Sequence, residues 1–112
     1  MTPEQERTLK LSELVRKDGT WTTYGAIGEL VYGPGKGAQT VGNTMRDHGS
    51  ADNVHRVLNV DGRISPHWRG AGGRPQDAIR RLQEEGIWDQ ANNRARKDRM
   101  ITAARLRQLE AR

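Results

Sequence analysis

Between Thr22 and Arg56 the chain carries two short helical patterns separated by a glycine-rich turn. In the first, Tyr24, Ile27, Leu30 and Val31 fall on one helical face behind a Thr22-Thr23 cap, and Gly33-Pro34 stops it. The turn Gly33-Pro34-Gly35-Lys36-Gly37 leads to a second pattern, where Ala38, Val41 and Met45 mark an apolar face. The turn is not a phosphate-binding loop, because the Gly-Lys-Ser/Thr ending and a preceding buried strand are absent. Val54 to Val60 then alternates weakly, Asp61-Gly62 is a two-residue hairpin signal, and Arg63-Ile64-Ser65 begins a return strand. Two short helices, a glycine-bearing turn and a following hairpin predict a winged helix-turn-helix, mainly α with a small β-hairpin.

The polar face of the second helix suits such a fold. Gln39, Asn43 and Arg46 offer amide and guanidinium groups for base edges and phosphates, and Gly42 permits close approach of another backbone. An ordinary solvated helix face would carry similar residues. Charge adds to the case: the chain has a net charge of +5 and a pI of about 10.2, which point to a polyanionic partner. Residues 89–112 hold seven Lys/Arg against three Asp/Glu, so most of the excess lies there. Arg63, Arg69, Arg74, Arg80 and Arg81 form a second basic cluster opposed only by Asp77.

The flanking segments complete the plan. Thr2-Pro3-Glu4-Gln5 has the form of a helix start with a capping box, followed by a Leu11, Leu14 and Val15 stripe that ends at Asp18-Gly19. Pro66 to Gly73 reads as a surface loop presenting Trp68, which either packs or stacks on a base. Arg74-Pro75 opens a helix with Ala78, Ile79 and Leu82 facing inward, closed by Gly86 and pinned by Ile87-Trp88. We divide the chain into a domain over residues 1–88 and a basic extension over 89–112. The extension is helical in part, with a Met100, Ile101, Ala104 and Leu109 stripe.

Several classes fall away on composition. The 112 residues include no cysteine, which excludes disulfides, thiolate metal sites and a sulfur nucleophile. His48, His55 and His67 show no metal-ligand spacing, so neither metal nor other cofactor is expected. With 33% hydrophobic residues, no phenylalanine and a mean hydropathy of −0.92, any core is thin and largely aliphatic. No apolar run approaches the roughly 18 residues of a membrane span, and no signal pattern opens the chain. A soluble cytoplasmic monomer, nucleoid-associated if bacterial, is the expectation.

The run TTYGAIGELVYG, GAQTVGNTMRDH, VHRVLNVDGRIS and RRLQEEGI resembles the DNA-binding domain of 6-O-alkylguanine-DNA alkyltransferases. It is closer still to the alkyltransferase-like proteins, which keep that domain without its acceptor cysteine. The likeness covers Trp21 to Ile87. Active members read Pro-Cys-His-Arg-Val where this chain reads Asn53-Val54-His55-Arg56-Val57, so Val54 stands at the nucleophile. Alkyl transfer needs a thiolate activated by the neighbouring histidine and a buried glutamate, and valine offers nothing to activate. The resemblance therefore implies a non-enzymatic protein, in which His55 and Glu85 persist as a buried hydrogen-bonded pair.

It further implies that the helix from Ala38 to Asp47 enters the minor groove of double-stranded DNA and that a 6-O-alkylguanine is flipped into a pocket and flagged for repair proteins. The DNA contacts would be Tyr24, Gln39, Thr40, Gly42, Asn43, Arg46, Arg56 and Arg69. The pocket would be built from Tyr24, Val54, His55, Trp68 and Glu85, with a wall from the Pro66–Gly70 loop and Trp68 as its lid. The chain departs from the family in three ways. Gln39 stands at the intercalating arginine, and the loop before His55 is about two residues shorter, with His48 at the position of its opening asparagine. Val54 replaces the tryptophan or alanine usual in the alkyltransferase-like proteins. A general or regulatory winged-helix DNA-binding protein without lesion preference is the alternative. A glycosylase or nuclease using His55 has no paired carboxylates to support it.

Overall fold

The computed structural model describes residues 1–15, 19–68 and 73–112. Three helices form its first layer: α1 (Pro3–Glu13), α2 (Tyr24–Tyr32) and α3 (Ala38–His48). The capping box at Thr2 is present in both directions, with Gln5 N donating to Thr2 Oγ1 (3.1 Å) and Thr2 N to Gln5 Oε1 (2.9 Å). Thr23 caps α2 by accepting from Ala26 N at 2.9 Å. Helix α1 ends at Glu13, and Asp18 of the expected Asp18-Gly19 stop lies outside the described residues.

Helices α2 and α3 are joined by a turn that folds back onto α2. A Cβ added at Gly28 would sit 2.5 Å from the carbonyl oxygen of Lys36, so only glycine allows this close approach. Leu11, Val15, Ile27, Val41, Met45, Val54 and Val57 pack together beneath the three helices. On α3 the apolar face is narrower than the sequence suggests. Val41 and Met45 are buried, but Ala38 is exposed and Thr44 takes the third inward position.

A parallel three-stranded sheet, ordered β2-β1-β5, supports this layer: β1 is Trp21–Thr23, β2 is Val57–Leu58 and β5 is Met100–Ile101. Thr22 sits opposite both Val57 and Ile101. Helix α4 (Pro75–Glu84) starts with Pro75 in its first turn and ends as expected at Gly86, which has φ of +74°. With Trp21, Leu58, Ile87 and Trp88 it makes a second apolar cluster, through Leu82.

The hairpin is where the sequence reading and the structure differ. Among the described residues, no strand follows Asp61-Gly62 to pair with β2. Instead, β2 lies parallel to β1, and the antiparallel hairpin is formed by β3 (Trp88–Asp89) and β4 (Arg94–Ala95). The turn signal itself is sound: Gly62 N donates to Asn59 O at 2.8 Å, and Gly62 has φ of +71°. Its second use is tertiary. Gly62 O accepts from Ala95 N at 2.8 Å, and an added Cβ would lie 3.2 Å from both Ala95 N and Ala95 O. The glycine thus seats β4 against the turn, and local sequence carries no sign of that partner.

Residues 89–112 are integral to the core. Helix α5 (Ala103–Glu110) inserts Leu106, fully buried, among Leu11, Ile27 and Val57. Arg96 O accepts from Trp21 Nε1 at 2.7 Å, Ile101 O from Thr22 Oγ1 at 2.7 Å, and Arg7 pairs with Glu110 at 2.9 Å. The sequence stripe named Ala104 and Leu109, yet Leu106 is the residue that reaches the interior. Leu106→Ala should therefore cost about 2–5 kcal/mol, as for other fully buried leucines. Urea denaturation would read this; a change under 1 kcal/mol would make the segment peripheral.

Candidate functional site

The centre of the site is a short 3-10 turn, Val54–Arg56, entered from α3 through Gly49 to Asn53. Asn53 N and Val54 N both donate to Ser50 O at 3.0 Å, which fixes the approach. Asn53, fully buried, donates from Nδ2 to Ser12 O at 2.8 Å and accepts from Arg56 Nη1 at 2.8 Å. The amide at this position thus ties the turn to α1, a bond that a proline could not make.

His55 and Arg56 meet the same carboxylate. His55 Nε2 bonds Glu85 Oε2, and the Arg56 guanidinium holds Glu85 Oε1. Glu85 is the C-cap of α4, so this group clamps that helix to the turn. Burial holds the His55 imidazole below its usual range. Glu85 opposes that shift, while the charges of Arg56 and Arg81 reinforce it. The neutral ring then donates from Nε2 and carries its lone pair on Nδ1, which has no partner among the described residues. The expected His55–Glu85 pair is present, and Arg56 supplies the balancing charge.

In front of this clamp lies a cavity of about 220 Å³. It is lined by the apolar Val54 and Met45 together with Tyr24, Gly42, His67 and Trp68. The loop that presents Trp68 is folded on Ser65, whose carbonyl accepts from Trp68 N (3.0 Å) and whose hydroxyl accepts from His67 N (3.1 Å). Tyr24 opens α2, and its ring packs over Gly42, where an added Cβ would stand 3.9 Å from it. Burial pushes the Tyr24 phenol up to about 12, so it stays a neutral hydrogen-bond donor at working pH. Arg46 reaches the rim while pairing with Asp47 at 2.9 Å.

A larger groove of about 1150 Å³ runs beside α3, past Gln39, Gly42 and Asn43, to the Asn59–Arg63 turn and Met100. Gln39, Thr40, Asn43 and Arg46 are all exposed on α3. Tyr24, Gly42, Ser65 and Trp68 border both spaces, so the groove and the cavity adjoin.

Of the sequence-derived pocket residues, Tyr24, Val54 and Trp68 line the cavity, and His55 and Glu85 stand behind it as its support. Arg56 does not join the α3 surface. Its side chain turns inward, 11% exposed, because Glu85 and Asn53 occupy the guanidinium. Arg69 lies outside the described residues. His67 lines it too, within the Pro66–Gly70 loop expected as a wall, while the sequence reading missed Met45 and Ser65 in the cavity. For Ser65 the Ser-Pro-His spacing of a hydroxyl-capped turn was the available signal. Among the described residues, no group of three His, Asp or Glu converges as metal ligands would.

Because stability follows the state that binds more protons, the neutral His55 has a pH signature. The unfolded chain takes up the histidine proton first as pH falls, so this contribution is complete above about 6.5 and declines below it. Urea unfolding of the native chain should weaken through that range, and His55→Gln should flatten the dependence. An unaltered profile in the variant would refute the neutral assignment.

No protein-family model and no curated protein matches this chain. A solved structure does: S. pombe Atl1 in complex with damaged DNA containing O6-carboxymethylguanine. It is 28% identical, with a TM-score of 0.61, over 91% of this chain and 99% of that one. The likeness runs well past Ile87, into the segment that sequence alone set apart. With that fold, and with valine ahead of the His55–Glu85 pair, the chain is a structural homologue of the Atl1 alkyltransferase-like DNA-binding domain and lacks the acceptor cysteine.

Proposed function

We propose that this protein binds double-stranded DNA through α3 in the minor groove and holds a flipped 6-O-alkylguanine in the cavity over Val54, marking the lesion without repairing it. The observation that carries the reading is the cavity itself. It opens beside the exposed face of α3, has an apolar base at the position of the missing thiol, and borders a half-buried tryptophan and a neutral tyrosine. At about 220 Å³ it falls below the roughly 300–1,000 Å³ of pockets for drug-sized ligands, which suits a single base. The damaged DNA held by Atl1 supports the same assignment.

Physical chemistry explains how preference arises without a reaction. Extruding a base costs a few kcal/mol, least where pairing is already weakened, so an alkylated guanine is favoured before any pocket contact is made. Trp68 supplies an aromatic face for stacking. Gln39 can fill the vacated position in the stack and hydrogen-bond there, with no charge. With no thiol in the chain the alkyl group stays on the base, and the complex lasts until repair proteins displace it.

Fluorescence anisotropy of one duplex, carrying guanine or 6-O-methylguanine at a single position, tests this. A preference of tenfold or more, about 1.4 kcal/mol, for the modified duplex is expected. Trp68→Ala removes the lid, and should erase the preference while affinity for the unmodified duplex stays unchanged. Equal affinities of the native chain for the two duplexes would leave a general DNA-binding protein.

A further inference from the structure

A second cleft, of about 750 Å³, lies between the β3–β4 hairpin and the segment after it. Four cations line it, Arg63, Arg94, Arg96 and Lys97, against two carboxylates, Asp89 and Asp98. Both carboxylates are engaged locally: Asp89 accepts from Asn92 Nδ2 at 2.6 Å, and Asp98 pairs with Arg96 at 2.8 Å. Among the described residues the Lys97 ammonium has no hydrogen-bond or ion-pair partner, and the chain spends nothing to neutralise it.

The cleft joins the α3 surface through one residue. Arg63 borders both the groove beside α3 and this cleft. Its position is set by the turn it follows: Arg63 N donates to Asp61 Oδ1 at 3.0 Å and Arg63 Nη1 to Asn93 O at 3.3 Å. Gly62 seats β4 on that turn, and the absent Cβ leaves space for the Arg94 guanidinium, whose Nη2 would lie 3.1 Å from it. The cationic hairpin is therefore held in a fixed place relative to the groove.

We infer that this cleft is a second DNA-binding surface, which takes the phosphates flanking the site occupied by α3. The inference rests on the DNA-binding reading above and extends it. The cleft supplies affinity that is blind to the base, since phosphate contacts position a protein without reading sequence or damage. It also gives the β3–β4 hairpin the role of the wing, in place of the hairpin the sequence suggested after Val57.

The test is the salt dependence of binding to the 6-O-methylguanine and unmodified duplexes, made with long and with short flanks. Each lost phosphate contact should reduce the slope of log affinity against log salt by about 0.9. The variant Arg94→Gln/Lys97→Gln should flatten the long-duplex slope by about 1–2, equally for both duplexes, with the lesion preference intact. On short duplexes the variant and the native chain should converge. Lys97→Glu, at an exposed position, gives the same sign of change should the double variant fold poorly.

The control Arg105→Gln/Arg107→Gln removes the same charge from α5. An unchanged slope in the cleft variant, or an equal change in the control, overturns the inference. A native chain that binds both duplexes alike but loses slope in the cleft variant would sink the lesion reading and leave this one standing. A native chain that binds neither duplex refutes both.

Discussion

Glu85 is the residue on which the site depends. A single carboxylate at the end of α4 is shared between His55 and Arg56, two neighbours on one 3-10 turn. Arg56 also reaches Asn53, and Asn53 reaches Ser12. Through that chain, α1, the turn and α4 are held in one arrangement by directional bonds. In a protein whose apolar content is only 33%, such bonds do what a larger core would otherwise do. Removing the carboxylate would leave a half-buried guanidinium and an imidazole with nothing to orient them.

The same clamp explains why a relay without a nucleophile keeps its shape. In a transferase, the histidine's purpose is to polarise a thiol. Here the preceding residue is Val54, and the buried imidazole is neutral, balanced between burial and a carboxylate already matched by arginine. The group fixes where Val54 stands, and thus one side of the cavity in front of it.

Two surfaces of different character meet along the groove beside that cavity. The face of α3 is made of small and amide side chains, with Gly42 open beneath Tyr24, and it lies along a groove rather than in solvent alone. Past Arg63 the character changes to cations on a hairpin.

Much of this was legible in the chain as written. The caps at Thr2 and Thr23, the stops at Gly33 and Gly86, and the apolar faces of α1, α2 and α4 are local signals, each decided within a few residues. Tyr24, Val54 and Trp68 were found as cavity residues, and His55 with Glu85 as a pair, because motif order carries them. Tertiary structure alone decided the rest. Strands of two or three residues have no usable periodicity, so β1, β2 and β5 could be recognised only by their partners, which lie tens of residues away. Asp61-Gly62 turned the chain as its residues require, but the strand it serves is β4, brought there by long-range packing. Arg56 looked like a DNA contact until its partner on α4 was in place. Leu106 looked unremarkable until α5 docked, since burial belongs to the assembled layers and not to the segment. Local geometry follows from side-chain chemistry a few bonds away, whereas pairing and burial depend on which distant segment arrives.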